Sequence, residues 1–122
     1  MTLRAAAALM AALWGWSPAV HAAGAFFSAV PDMPLMSALS EVPSATTVFD
    51  KPEGRIVALA ATGSADRNAV LKFYDQTLPQ LGWRKAPDGS WRREDEMLRL
   101  EVKGSGRIVE LRISIAPSRV TR

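Results

Sequence analysis

The sequence predicts an α+β domain: an antiparallel sheet of about five or six strands, in the order β-β-α-β-β-β-β, with one amphipathic helix packed across one face. Three observations carry that prediction. Leu98, Leu100 and Val102 alternate with Arg99, Glu101 and Lys103, and Val109, Leu111, Ile113 and Ile115 alternate with Glu110, Arg112 and Ser114. Period-two alternation marks strands of an antiparallel sheet with one wet face. In residues 65–81 the apolar spacing changes to three and four, which gives one stripe along a helix. Turn chemistry at Lys51-Pro52-Glu53-Gly54, Pro87-Asp88-Gly89 and Gly104-Ser105-Gly106 punctuates the remaining apolar runs as hairpins.

From the N-terminus, Met1 to Arg4 is a short positive lead, and Ala5 to Trp16 is an apolar stretch of 12 residues. Ser17 and Pro18 break it, and Val20-His21-Ala22 offers small residues at the −3 and −1 positions of a cleavage site. This is the layout of a secretory signal peptide over residues 1–22, with a run too short for a comfortable bilayer span of about 20 residues. Cleavage is expected after Ala22. The alternative is a retained anchor, with Trp14 and Trp16 at a membrane interface. Periplasmic or secreted localisation follows. The absence of cysteine excludes a lipoprotein anchor and disulfide staples, and a small exported domain without disulfides suits a bacterial periplasm.

Residues 23–45 form a Pro-rich lead-in, with Pro31, Pro34 and Pro43 among Phe26, Phe27, Val30, Met33, Leu35, Met36 and Leu39. Proline at that density opposes a regular helix or a central strand. The segment is too apolar for a solvated linker, so it is expected to lie across the domain with side chains docked in grooves. The functional alternative makes Phe26, Phe27, Met33 and Met36 a contact surface for a partner.

A single domain is expected over residues 46–117. Thr46–Asp50 and Arg55–Ala61 make the first hairpin. Ser64 is the expected N-cap of the helix, whose stripe runs through Ala69/Val70, Phe73/Tyr74, Thr77/Leu78 and Leu81. Pro79 should stop or kink it near Thr77, and Gly82 suits the left-handed residue after its end, with Trp83 folding back. Short strands follow around Trp83 and Trp91, then the two long alternating ones. Pro117 closes the sheet, and residues 118–122 form a tail.

The chemistry is bounded mainly by what is missing. His21 is the only histidine and lies in the signal segment, so residues 23–122 contain neither histidine nor cysteine. That removes Ser-His-Asp and Cys-His catalysis and ordinary zinc, copper or haem ligation. No nucleotide-binding glycine pattern occurs, since Gly104 and Gly106 precede no helix. Glu94-Asp95-Glu96 is the one acidic cluster and falls at a predicted turn, where a solvated hairpin tip is the ordinary outcome. No catalytic, cofactor or metal residue is assigned, and the protein is expected not to be an enzyme.

Charge is uneven. Asp32 to Asp75 holds 4 basic and 6 acidic residues, whereas Arg84 to Arg122 holds 10 and 6. Arg84, Lys85, Arg92 and Arg93 interleave with Trp83 and Trp91, a combination that anionic polymers can use. The exported compartment argues against nucleic acid, and outward arginines over buried tryptophans explain the same pattern.

Phe73-Tyr74, Leu78-Pro79, Leu81-Gly82-Trp83, with Asp32-Met33-Pro34-Leu35-Met36 and Val48-Phe49-Asp50-Lys51-Pro52-Glu53-Gly54-Arg55-Ile56, resembles small exported proteins of proteobacteria. The resemblance spans about Phe26 to Ile115 and implies no established activity and no site residues. The functional expectation is a non-enzymatic periplasmic binding or accessory module that acts in the cell envelope through protein contacts. The alternatives are a small inhibitor of a periplasmic or extracellular hydrolase, presenting Pro87-Asp88-Gly89 or Glu94-Asp95-Glu96, and a carrier of a small apolar ligand held between helix and sheet.

Overall fold

A computed structural model describes residues 25–104 and 106–118. The signal segment, its cleavage site and the last four residues lie outside the described residues. The chain forms β1 (Phe26–Phe27), β2 (Val30–Pro34), β3 (Leu39–Glu41), β4 (Thr47–Lys51), β5 (Gly54–Ser64), α1 (Arg67–Thr77), β6 (Arg84–Lys85), β7 (Trp91–Arg93), β8 (Glu96–Lys103) and β9 (Ile108–Pro117). The α+β class holds: among the described residues the strands pair antiparallel, and one α-helix packs against them.

The main sheet runs β3-β5-β9-β8-β7-β6, and β4 also pairs with β5. β3 and β4 share one edge of β5. Leu39–Glu41 pair with Gly63–Ala61 and Thr47–Lys51 with Ala58–Gly54, so five residues (42–46) face only two (59 and 60). The surplus is looped out as a 3-10 turn, Pro43–Ala45.

The alternating residues fall as the sequence predicts. Leu98, Val102, Val109, Leu111, Ile113 and Ile115 are buried on one face, joined by Val57, Leu59 and Ala61 from β5. Val70, Tyr74 and Leu78 of the helical segment pack into the same core. Pro79 acts as expected: the α-helix stops at Thr77 and tightens into a 3-10 turn, Leu78–Leu81. Gly82, at φ 91°, then closes it, its N–H donating to the Pro79 carbonyl while the Trp83 N–H donates to that of Leu78, both at 3.1 Å. These are the two bonds of a Schellman motif, and Trp83 folds back buried.

Two local expectations are corrected. Ser64 is not the N-cap, because β5 runs on through it, and Ser64 pairs with Ile108. Asp66 caps instead, without a side-chain hydrogen bond. The lead-in carries three short strands: β1 and β2 form a separate hairpin, and β3 joins the main sheet. Pro31 and Pro34 fit because each strand of a two-stranded ribbon has an unpaired edge, where a missing N–H costs no ladder bond, and Pro43 opens the 3-10 turn. Phe27, Val30, Met33, Leu35 and Leu39 enter the core. The Tyr74 hydroxyl donates to the Pro34 carbonyl at 2.8 Å, tying helix to hairpin. Burial raises the Tyr74 pKa well above its ordinary value, so the hydroxyl remains a donor.

Candidate interaction surface

The four lead-in residues expected to contact a partner do not form one exposed patch. Phe27 and Met33 are each 1% exposed. Met36 is partly buried against the core, and Phe26 alone stands out at 49%.

A charge cluster holds this hairpin to the sheet. Arg55 of β5 grips Glu96 of β8 with Nε–Oε2 at 2.7 Å and Nη2–Oε1 at 3.2 Å. Arg93 of β7 reaches Asp32 of β2 at 3.1 Å and Glu96 at 3.4 Å. Its Nη1 donates to the Leu81 carbonyl at the helix end, and its guanidinium lies 4.3 Å from the centre of the Trp83 ring. Burial opposes ionisation of Asp32, but the Arg93 hydrogen bond and the positive charges of Arg55 and Arg93 outweigh it and hold its carboxyl below the usual value. Glu96 is therefore a structural partner, while Glu94 and Asp95 make the hairpin turn, Glu94 at φ 52°.

The basic and aromatic residues of the segment 83–93 separate by face. Trp83 and Trp91 are 1% and 3% exposed, so neither offers a ring for a base to stack on. Arg84, Lys85 and Arg92 are exposed, and Lys85 is bonded to Asp75 of the helix at 3.1 Å. Among the described residues no group of three or more histidine, cysteine, aspartate or glutamate side chains is arranged to hold a metal, and no helix is long and apolar enough to cross a membrane.

The open edge of the sheet is more informative. All five residues of β4 are exposed, and among the described residues only β5 pairs with it. Val48 is 43% and Phe49 58% exposed. Phe49 pairs with Ile56 and Val48 with Val57, so the two apolar side chains project on opposite faces at one edge. The other ends of the main sheet are guarded, and the stretch of β8 beyond β7, Arg99–Lys103, carries a charge at every second residue. β6 is only Arg84–Lys85, both charged. β3 is three residues long, and its Glu41 accepts from the Ser28 amide and hydroxyl in the β1–β2 turn. Short length and charge are the usual protections of an edge, and β4 lacks them over Thr47–Phe49. Sequence reasoning identified the strand but missed its role, because which strand ends a sheet depends on distant pairings.

Comparison with known protein families, with characterised proteins and with solved structures finds no match.

Proposed function

We propose that this protein is a non-enzymatic binding module of the periplasm or cell envelope, exported by its N-terminal segment. It works by accepting an extended segment of a partner protein as an added strand along β4. The observation that supports this reading is the open five-residue edge with Val48 and Phe49 bared on its two faces. Strand addition supplies affinity through main-chain hydrogen bonds and selectivity through alternate side-chain contacts. The fitting occupant carries apolar side chains on both faces opposite Val48 and Phe49, with a basic group near Asp50 and an acidic group near Lys51. The absence of histidine and cysteine from residues 23–122 is consistent with a contact role.

The test is photo-crosslinking in the native envelope with a benzophenone amino acid in place of Phe49. The reading expects adducts with one or two reproducible envelope proteins, each mapped to a single extended segment and lost on Val48→Lys. Adducts with a second copy of this chain would make β4 a self-association edge. Scattered adducts matching those from a probe at Ile108, which is 55% exposed, would remove the proposal.

A further inference from the structure

The face of the sheet turned away from the helix holds a trough of about 660 Å³. Ordinary wet-face positions carry long side chains, and the flanking rows here do, with Met97 at one end and Glu110 and Lys103 at the other. Between them the outward positions of β5 and β9 shrink to Ala58, Ala60 and Ser114, which form the floor. Ala60 pairs with the exposed Arg112, so it faces outward, yet it is only 4% exposed. It lies at the bottom of a depression. Two turns make the walls: the looped-out segment at Ala45 on one side and Asp88–Ser90, between β6 and β7, on the other.

The polar groups around the trough differ in how far they are already satisfied. Asp88 Oδ1 accepts from the Ser90 amide at 2.9 Å and from the Ser90 hydroxyl at 2.5 Å. Glu101 is paired with Lys103 at 3.3 Å. Arg112 uses its Nε on Glu110 at 2.8 Å and has no partner for its two Nη groups among the described residues. Among the described residues the Arg99 guanidinium contacts the Met97 sulfur at 3.9 Å and Asp88 at 4.0 Å, both long. Ser114 sits beside both, directly opposite Arg99 and two residues along β9 from Arg112. Asp88 and Glu101 also line the trough, each with one oxygen on an internal partner and Glu101 opposite Arg112 but paired with Lys103; the two guanidiniums keep unshared N–H donors among the described residues, and these are what an anion would use. A planar guanidinium fork matches a carboxylate in particular.

From this arrangement we infer a second binding site, separate from the β4 edge, for a carboxylate-terminated chain. Its carboxylate lies between Arg99 and Arg112 and its aliphatic or peptide body rests on Ala58 and Ala60. The volume falls within the range of small-molecule sites, about 300–1,000 Å³, and a lone inorganic anion would leave most of it empty. The small side chains of the floor let a chain lie close to the sheet, where a leucine or arginine would hold it off.

The test uses the full chain, labelled with ¹⁵N and titrated with octanoate, with acetyl-trialanine, with the amide-capped form of that peptide and with inorganic phosphate. Shifts confined to the amides of Ala58, Ala60, Ser114, Arg99 and Arg112 are expected with a free-carboxylate ligand and not with the capped peptide. A response to octanoate alone assigns an acyl chain, and a response to acetyl-trialanine alone assigns a peptide terminus. Arg99→Ala or Arg112→Ala should weaken binding by about tenfold, the worth of one charge-assisted bond. Both side chains are 57% exposed, so neither change threatens the fold. Ala58→Leu, at an exposed position, should block binding while leaving the thermal transition in place. No response to either carboxylate at millimolar concentration, equal binding of phosphate, or binding indifferent to all three substitutions would overturn the site.

Discussion

Arg93 touches four parts of the molecule with one guanidinium: Asp32 in the hairpin, the Leu81 carbonyl at the helix end, the Trp83 ring and Glu96 in β8. Its side chain is 20% exposed, so these contacts are partly screened. Arg93→Ala should cost about 1–2 kcal/mol of unfolding free energy in urea titration, from the ring contact and the carbonyl bond. Arg93→Lys should recover only part of that, because an ammonium neither stacks nor forks. Asp32 sets a pH dependence. Its pKa is lowered in the folded state, so its contribution is present above the unfolded value near 3.8 and disappears as pH falls through the folded value. Melting temperature against pH should therefore fall more steeply below about pH 4 in the parent than in Asp32→Asn. Tyr74→Phe leaves the Pro34 carbonyl without its hydroxyl donor and should cost about 1–3 kcal/mol. Among these residues the sequence marked Tyr74 as part of the helix stripe and Arg93 as an outward arginine beside the tryptophans, whereas Arg93 lies over Trp83 at 20% exposure. The partners of Asp32, Arg55 and Arg93 are set by tertiary placement and leave no periodic trace.

At the level of elements, β8, β9 and α1 were legible because each buries one face and so carries its own period. Pro79, Gly82 and Trp83 were legible for a local reason, since a ring nitrogen and a missing Cβ constrain the backbone wherever they occur. β1 and β2 were not legible. Val30, Met33, Pro34 and Leu35 are buried while Pro31 and Asp32 are exposed, which lacks the alternation of a strand and mimics a helical spacing that the prolines oppose. For the same reason Phe27 and Met33 looked as available to a partner as Phe26. Two glycines give a test of the element boundaries. Gly82→Ala places a Cβ on a left-handed residue and should cost about 1–2 kcal/mol in thermal or chemical unfolding. At Gly63 a Cβ would collide with the backbone carbonyl of Ala38, where β3 meets β5. Backbone cannot swing aside as a side chain does, so Gly63→Ala should cost more than Gly82→Ala and should raise amide exchange first in β3.

At the largest scale, the main sheet of the described residues has one closed and one open face. Helix and hairpin cover the first, and the core of buried apolar residues lies between them and the sheet. The second face holds the trough, and the β4 edge is exposed. Their geometry comes from register: Ala58 beside Ser114 beside Arg99, and a looped-out segment that ends β3 and starts β4. None of those neighbours is close in sequence, so the trough escaped a linear reading, and the hairpin at residues 46–61 gave the strand without its exposure. If β4 is the contact edge, hydrogen–deuterium exchange on the complex recovered by crosslinking is the most direct measurement. The account predicts slowed exchange across residues 47–51 in the complex relative to the free protein, with β6, β8 and β9 unchanged. Equal exchange of β4 in both states, with protection appearing on another element, would contradict strand addition.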